Sequence, residues 1–229
     1  MTKSRSAVVA LVLLVLTGCA VTRQARSVEK SGFLGDYSQL KPGPDGGALL
    51  VYKNPASDIK RYDKVLLDPV AIWTKSGSEL SELSKEDRTR IVNHLYTLLQ
   101  MRLAKDYKLV TTPEPGTLRI AVAITDADSS NPTLDTVSTL LPVGLAVSTL
   151  KAVATGKPAS VGDASAEMKV TDATSDDVIY AAVDRRFGTK NPTGLFNRWE
   201  DVDSAMAYWA DRAAFRLCTD RGDANCVAP

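Results

Sequence analysis

Four aspartates, Asp68, Asp163, Asp172 and Asp184, fall in or beside segments that read as strands. Two carboxylates converging in one pocket are the minimum equipment of a hydrolase working by acid and base, but spacing along the chain does not bring these four together. The sole histidine, His94, lies off the apolar stripe of its helix, with no second His or Cys beside it to complete a metal site or a proton relay. It reads as solvent-facing. Asp126-Ala127-Asp128-Ser129-Ser130 begins like a calcium loop, yet Asn131 stands at the turn glycine and Val137 at the bidentate glutamate. Carboxylates at a strand end account for the pattern, with a weaker cation site at Asp126 and Asp128 as the alternative. Thr155-Gly156-Lys157 hints at a phosphate loop, but Lys151 replaces its first glycine and Pro158 the hydroxyl residue that would hold magnesium. Neither a Gly-x-Ser-x-Gly elbow nor an HExxH pair occurs. No catalytic residue, metal ligand or cofactor is assigned, and a periplasmic hydrolase using paired aspartates stands as the alternative reading.

The residue with the clearest chemistry is Cys19. Lys3 and Arg5 form a positive front with no acidic residue before Glu29, and the apolar stretch from Ala7 to Leu16 that follows is half the roughly 20 residues a membrane span requires. A basic front, a short apolar core and small exit residues make a secretory signal peptide. The exit itself, Leu16-Thr17-Gly18-Cys19, resembles a lipobox, in which the thiol is alkylated with diacylglycerol, the chain is cut before the cysteine, and the new amine is acylated. Ordinary cleavage after Ala20 is the competing reading. Two or more acyl chains hold a protein firmly where one binds marginally. Ala20 and Val21 follow, and the lack of Asp after the cysteine resembles the enterobacterial signal for the outer membrane, with the inner membrane as the lesser alternative.

Three cysteines are an awkward number for an oxidising compartment. Lipid on Cys19 leaves Cys218 and Cys226, eight apart across the turn-rich Thr219-Asp220-Arg221-Gly222-Asp223. A disulfide is predicted there, against two free thiols, and closing so short a loop is worth about 2 to 3 kcal/mol.

The 229 residues carry a net charge of +1, which becomes −1 once Lys3 and Arg5 leave with residues 1–18, so nothing is steered toward nucleic acid. With 44% hydrophobic residues, one core of ordinary size is expected. Residues 19–48, with four glycines and two prolines between Gly35 and Gly47, read as a lipidated N-terminus and tether, although Phe33, Leu34, Tyr37 and Leu40 are able to dock. Residues 49–229 read as one periplasmic domain. Within it, Arg61–Trp73 predicts a strand buried on both sides and interrupted at Pro69. Ser84-Lys85-Glu86-Asp87 fits a capping box for a helix whose stripe is Ile91, Val92, Leu95, Leu98, Leu99 and Leu103. Strands follow at 107–110 and 117–127, then a hairpin of 164–170 and 178–188 joined by Thr174-Ser175-Asp176-Asp177. Asn197-Arg198-Trp199-Glu200 offers a second capping box, for a helix with Val202, Met206, Trp209, Ala213 and Leu217 inward. Adjacent strands with separated helices predict an α+β fold, a largely antiparallel sheet with helices packed on one face.

Between the last two pairs of strands lies an apolar stretch, Val137 to Val153, interrupted by Pro142, Gly144 and Lys151. It is a poor membrane span and too apolar for an idle loop. It packs on its own domain, on another protein, or against the membrane as part of a pore or secretion assembly. As a helix it would line up Gly144, Ser148 and Ala152 on one narrow stripe suited to close approach by a partner or a second subunit.

"SGFLGDYSQLKPG", "YDKVLLDPVAIW", "VGDASAEMKVTDATSDDVIYAAVDRRFG" and "WEDVDSAMAYWADRAAFRLC" together resemble bacterial lipoproteins catalogued as domain of unknown function 3313. The resemblance covers nearly the whole mature chain. It implies an exported lipoprotein and supplies no catalytic residues. The combined expectation is a non-catalytic envelope lipoprotein, anchored to the outer membrane and facing the periplasm, that works by binding or assembly with an envelope partner or with itself.

Overall fold

A computed structural model describes residues 22–74, 79–129, 161–188 and 199–229. The chain runs β1 (Arg23–Gln24), β2 (Lys41–Pro42), β3 (Leu50–Lys53), a 3-10 turn (Ile59–Arg61), β4 (Lys64–Leu67), β5 (Ala71–Ile72), α1 (Glu79–Glu82) and α2 (Lys85–Leu103). It continues through β6 (Lys108–Val110), β7 (Thr117–Asp128), β8 (Asp163–Asp172), β9 (Val178–Phe187) and α3 (Glu200–Arg221).

All the described strands join one sheet, along the order β2-β3-β9-β8-β7-β4-β6. Two short strands extend it: β1 pairs with β9 beyond the end of β3, and β5 pairs with β7 beyond Pro69, where regular pairing of β4 has stopped. The fold is α+β as expected, but the sheet is mixed. β7, β8, β9, β3 and β2 are antiparallel, whereas β4 is parallel to both β6 and β7, and β5 is parallel to β7. The reason is α2, which returns the chain from the far end of β4 and β5 to the end where β4 began, so that β6 must enter in the same direction.

α2 begins as its sequence predicts, the Ser84 hydroxyl accepting from the Asp87 amide. Its stripe of Ile91, Leu95, Leu98, Leu99 and Leu103 is buried against α3 and the sheet. Truncating any one of these leucines to alanine costs about 2 to 5 kcal/mol. The two helices are also joined by Arg90 with Asp203 and Arg102 with Asp211.

α3 departs from expectation at its start. The cap position is Trp199, buried and making no side-chain cap bond, and Asn197 of the predicted box lies outside the described residues. Glu200, Asp201 and Asp203 in the first turn oppose the positive end of the helix dipole instead. At the other end the helix closes on Gly222, whose φ of 83° is left-handed and whose amide reaches the Cys218 and Thr219 carbonyls. Cys218 is joined to Cys226 just beyond, with 5.7 Å between Cα atoms.

Both long helices lie on the face formed by Leu118, Ile120, Val122, Ala166, Val170 and their neighbours. The opposite face is covered over β9 by Leu34, with Val28, Phe33, Tyr37 and Leu40, packed on Ala181 and Val183. Residues 22–48, read as a tether, are therefore laid across the sheet from their first strand pair onward.

Candidate functional site

Four residues on four strands form one row across an end of the sheet: Arg23 opposite Phe187, Phe187 opposite Asp163, and Asp163 opposite Asp128. Strands about 4.8 Å apart place the first and last of these about 14 Å from each other. The row gathers the entry of the chain at Thr22, the point where β7 ends at Asp128, the point where β8 begins at Asp163, and the exit from β9 at Phe187. It is tightly built. Arg186 donates to the hydroxyl and the carbonyl of Thr22, at 2.8 and 3.1 Å, and its guanidinium lies 3.6 Å from the ring centre of Tyr208. The Gly188 amide donates to the Gly162 carbonyl, and the Gly162 amide donates to Asp201 at the first turn of α3. A side chain at Gly188 would meet Asp201 Oδ1 at 1.6 Å, so the close approach of strand to helix requires glycine.

Behind this end, on the face away from the helices, Glu167 is completely buried. Its two oxygens accept from the Ser31 amide at 2.7 Å and the Tyr37 hydroxyl at 2.6 Å. Burial, and then the bond to Glu167, push the Tyr37 phenol above its ordinary pKa. The Tyr37 oxygen also accepts from the Gly32 and Leu34 amides, so one tyrosine closes the 31–37 loop on itself and pins it to β8. Phe33 extends this to Trp73, edge to face at 5.7 Å.

The structure does not bring the four aspartates together. Asp68 is taken by Arg119 at 2.8 Å and Asp163 by Arg185 at 2.6 Å, both on the face away from the helices. Asp172 closes the β8–β9 hairpin: one oxygen accepts from the Thr174 hydroxyl and the Thr174 and Ser175 amides, the other from Tyr62 and Arg61. These donors, the Thr174 hydroxyl foremost, hold its carboxyl well below the usual carboxylate range. Asp184 faces the helices, accepting from Trp209 Nε1, Gln24 and the Leu49 amide. Burial raises its pKa in spite of these donors. Each carboxylate thus has its own partners.

Asp126 and Asp128 are strand residues of β7, beyond a bulge after Ile124, and not part of a turn. His94 is half-exposed on α2, 3.9 Å from Asp203. Cys19, the Gly144, Ser148 and Ala152 stripe and the Thr155-Gly156-Lys157 motif lie outside the described residues. No helix among the described residues is long and apolar enough to cross a membrane. The sequence reading missed Glu167 and Arg186. The available signal was charge within strands whose neighbours are apolar or small, Ala166 and Met168 on either side of Glu167.

The described residues form one α+β module, a mixed sheet with two long helices on one face. By family, the chain belongs to "Protein of unknown function (DUF3313)", whose model matches residues 29–213. It is 30% identical over 137 residues to "Uncharacterized lipoprotein YdcL" of Escherichia coli strain K12, and equally to that of strain O157:H7. Each alignment spans 59% of this chain and 60% of the relative. Among solved structures, the PelC L103M dodecamer of Paraburkholderia phytofirmans is similar at a TM-score of 0.38 and 11% identity, over 76% of this chain and 96% of that one. The hypothetical protein CT253 of Chlamydia trachomatis is similar at 0.38 and 12%, over 69% and 99%. Likenesses at that level carry no conclusion about assembly or ligand.

Proposed function

We propose that this chain is an envelope lipoprotein, lipidated at Cys19 and held at the outer membrane facing the periplasm, that acts by binding or assembly. The observation that supports this reading is the row Arg23–Phe187–Asp163–Asp128. Three residues separate Cys19 from Arg23, and four extended steps reach at most about 14 Å. A domain so closely tied keeps its tethered end beside the lipid headgroups. The segment between Ser129 and Val161 leaves and re-enters at that same end, and its sequence from Val137 to Val153 is apolar. An apolar segment whose two ends lie at the anchored end of the sheet suits a lipid surface or a partner embedded in it. The dispersal of the four aspartates speaks for binding over hydrolysis.

The test has two arms. Cys19→Ala is expected to abolish palmitate labelling and release the protein from the membrane fraction; unchanged labelling refutes the anchor. A photo-crosslinking residue at Leu145 is expected to capture lipid or an envelope protein in intact cells, whereas one at Lys105, beyond the opposite end of the sheet, is not. Capture at Lys105 without capture at Leu145 would reverse the proposed orientation.

A further inference from the structure

The helix-bearing face of the sheet is unevenly covered. α2 and α3 pack together, while the β8 and β9 side is met chiefly by α3. Between α3 and that side lies a cavity of about 170 Å³, open to solvent. Its wall is apolar, built by Val51, Leu99, Met168, Ala182 and Ala213 among others. A dry aliphatic cavity of about 150 Å³ accommodates benzene, so this one takes about six or seven carbons.

The polar groups around it are of two kinds. Asp184 is occupied by Trp209, Gln24 and the Leu49 amide, with Arg186 3.8 Å away, and offers a ligand nothing further. The other polar lining residues include three cations, Lys53, Arg212 and Arg216. Lys53 and Arg216 reach solvent and share one carboxylate, Asp220, at 3.0 and 3.1 Å, which also accepts from Tyr180. Arg212 rests on the Phe215 ring and has no ion pair among the described residues. The mouth therefore carries excess positive charge beside an apolar hollow. That combination is complementary to an anion on a short hydrocarbon chain.

We propose that this cavity binds a medium-chain fatty acid, its tail among Val51, Met168, Ala182 and Ala213 and its carboxylate on Arg212 and Arg216. The site lies on the helix face and is independent of the anchoring reading above.

The test uses the full chain as isolated from the cell in mild detergent, titrated with carboxyl-¹³C octanoate below its micelle concentration and corrected with protein-free detergent. One saturable site per chain is expected, with octyltrimethylammonium binding at least tenfold more weakly. Arg212→Glu, at the rim, is expected to weaken octanoate at least tenfold, and Ala182→Leu, which fills the hollow, to abolish binding. If Ala182→Leu fails to fold, the rim variant and the cationic analogue still decide. Absence of a saturable site, equal binding of the cationic analogue, or indifference to Arg212→Glu overturns the proposal. So does a result in which octanoate does not bind and Ala182→Leu changes the mass of the protein in solution, which would assign the hollow to contact between copies.

Discussion

Trp209 donates its indole hydrogen to Asp184 Oδ2 at 2.9 Å, joining the middle of α3 to β9. The pair carries both halves of what holds the helix to the sheet: the ring is buried core, and the carboxylate is a polar group that needs donors because it too is buried. Trp209→Ala is expected to cost about 3 to 5 kcal/mol. Trp209→Phe keeps most of the packing and loses the bond, for about 1 to 3 kcal/mol. Chemical denaturation measures both; a Phe variant as stable as the parent would mean the bond contributes nothing net.

Tyr37 and Glu167 make the corresponding link on the other face. Tyr37→Phe leaves Glu167 with the Ser31 amide alone, at an expected cost of about 1 to 3 kcal/mol. Glu167→Gln is milder, since its amide oxygen still accepts from Ser31 and Tyr37 keeps the Gly32 and Leu34 amides, which Tyr37→Phe loses as well. Limited proteolysis should cut residues 25–40 sooner in Tyr37→Phe than in Glu167→Gln. The reverse order would mean that the loop is held by its apolar side chains alone.

Asp172 makes part of the stability pH-dependent. Its folded pKa is depressed, first by the Thr174 hydroxyl, so its contribution is present above the unfolded carboxylate value and is lost as pH falls through the folded one. Asp172→Asn should therefore be less stable than the parent at pH 7, by about 1.5 to 3 kcal/mol for bonds to a charged acceptor. That gap should narrow as pH is lowered below about 3.9. Thermal melts at a series of pH values test this; a gap constant from pH 7 to pH 2 would show that the charge is immaterial.

The 218–226 bridge closes a short loop beyond α3. On the chain-entropy account Cys226→Ser should lower stability by about 2.5 kcal/mol. Cys218→Ala should cost more, because Cys218 is buried in the last turns of the helix while Cys226 is partly exposed. Equal losses would assign the whole effect to the covalent link.

Tyr107 is a buried phenol whose pKa burial pushes up to about 12, and its hydroxyl has no hydrogen-bond partner among the described residues. Tyr107→Phe removes a desolvated group that gains nothing from the fold, and is expected to leave stability unchanged or raise it by up to about 1 kcal/mol. A loss above 1 kcal/mol, measured by denaturation, would reveal a partner for the hydroxyl.

Local signals determined what depends on neighbours in the chain. The Ser84 cap, the leucine stripe of α2, the alternation in β7, the break at Pro69, the β8–β9 hairpin and the pairing of Cys218 with Cys226 were legible because each is set by spacing within a few residues. Tertiary structure alone decided what depends on distant segments meeting. The direction of β6 beside β4 follows from where α2 returns the chain. Residues 22–48 are polar and rich in turns and read as a tether, with Phe33, Leu34, Tyr37 and Leu40 as the side chains able to dock, which they do. They lie on the sheet because Glu167, 130 residues beyond Tyr37, supplies the acceptor that holds them. Periodicity tells which face of a strand is buried, but it does not tell which strands are neighbours. The Arg23–Phe187–Asp163–Asp128 row, and with it the end of the sheet from which the apolar segment departs, exists only once four separate stretches of chain have paired.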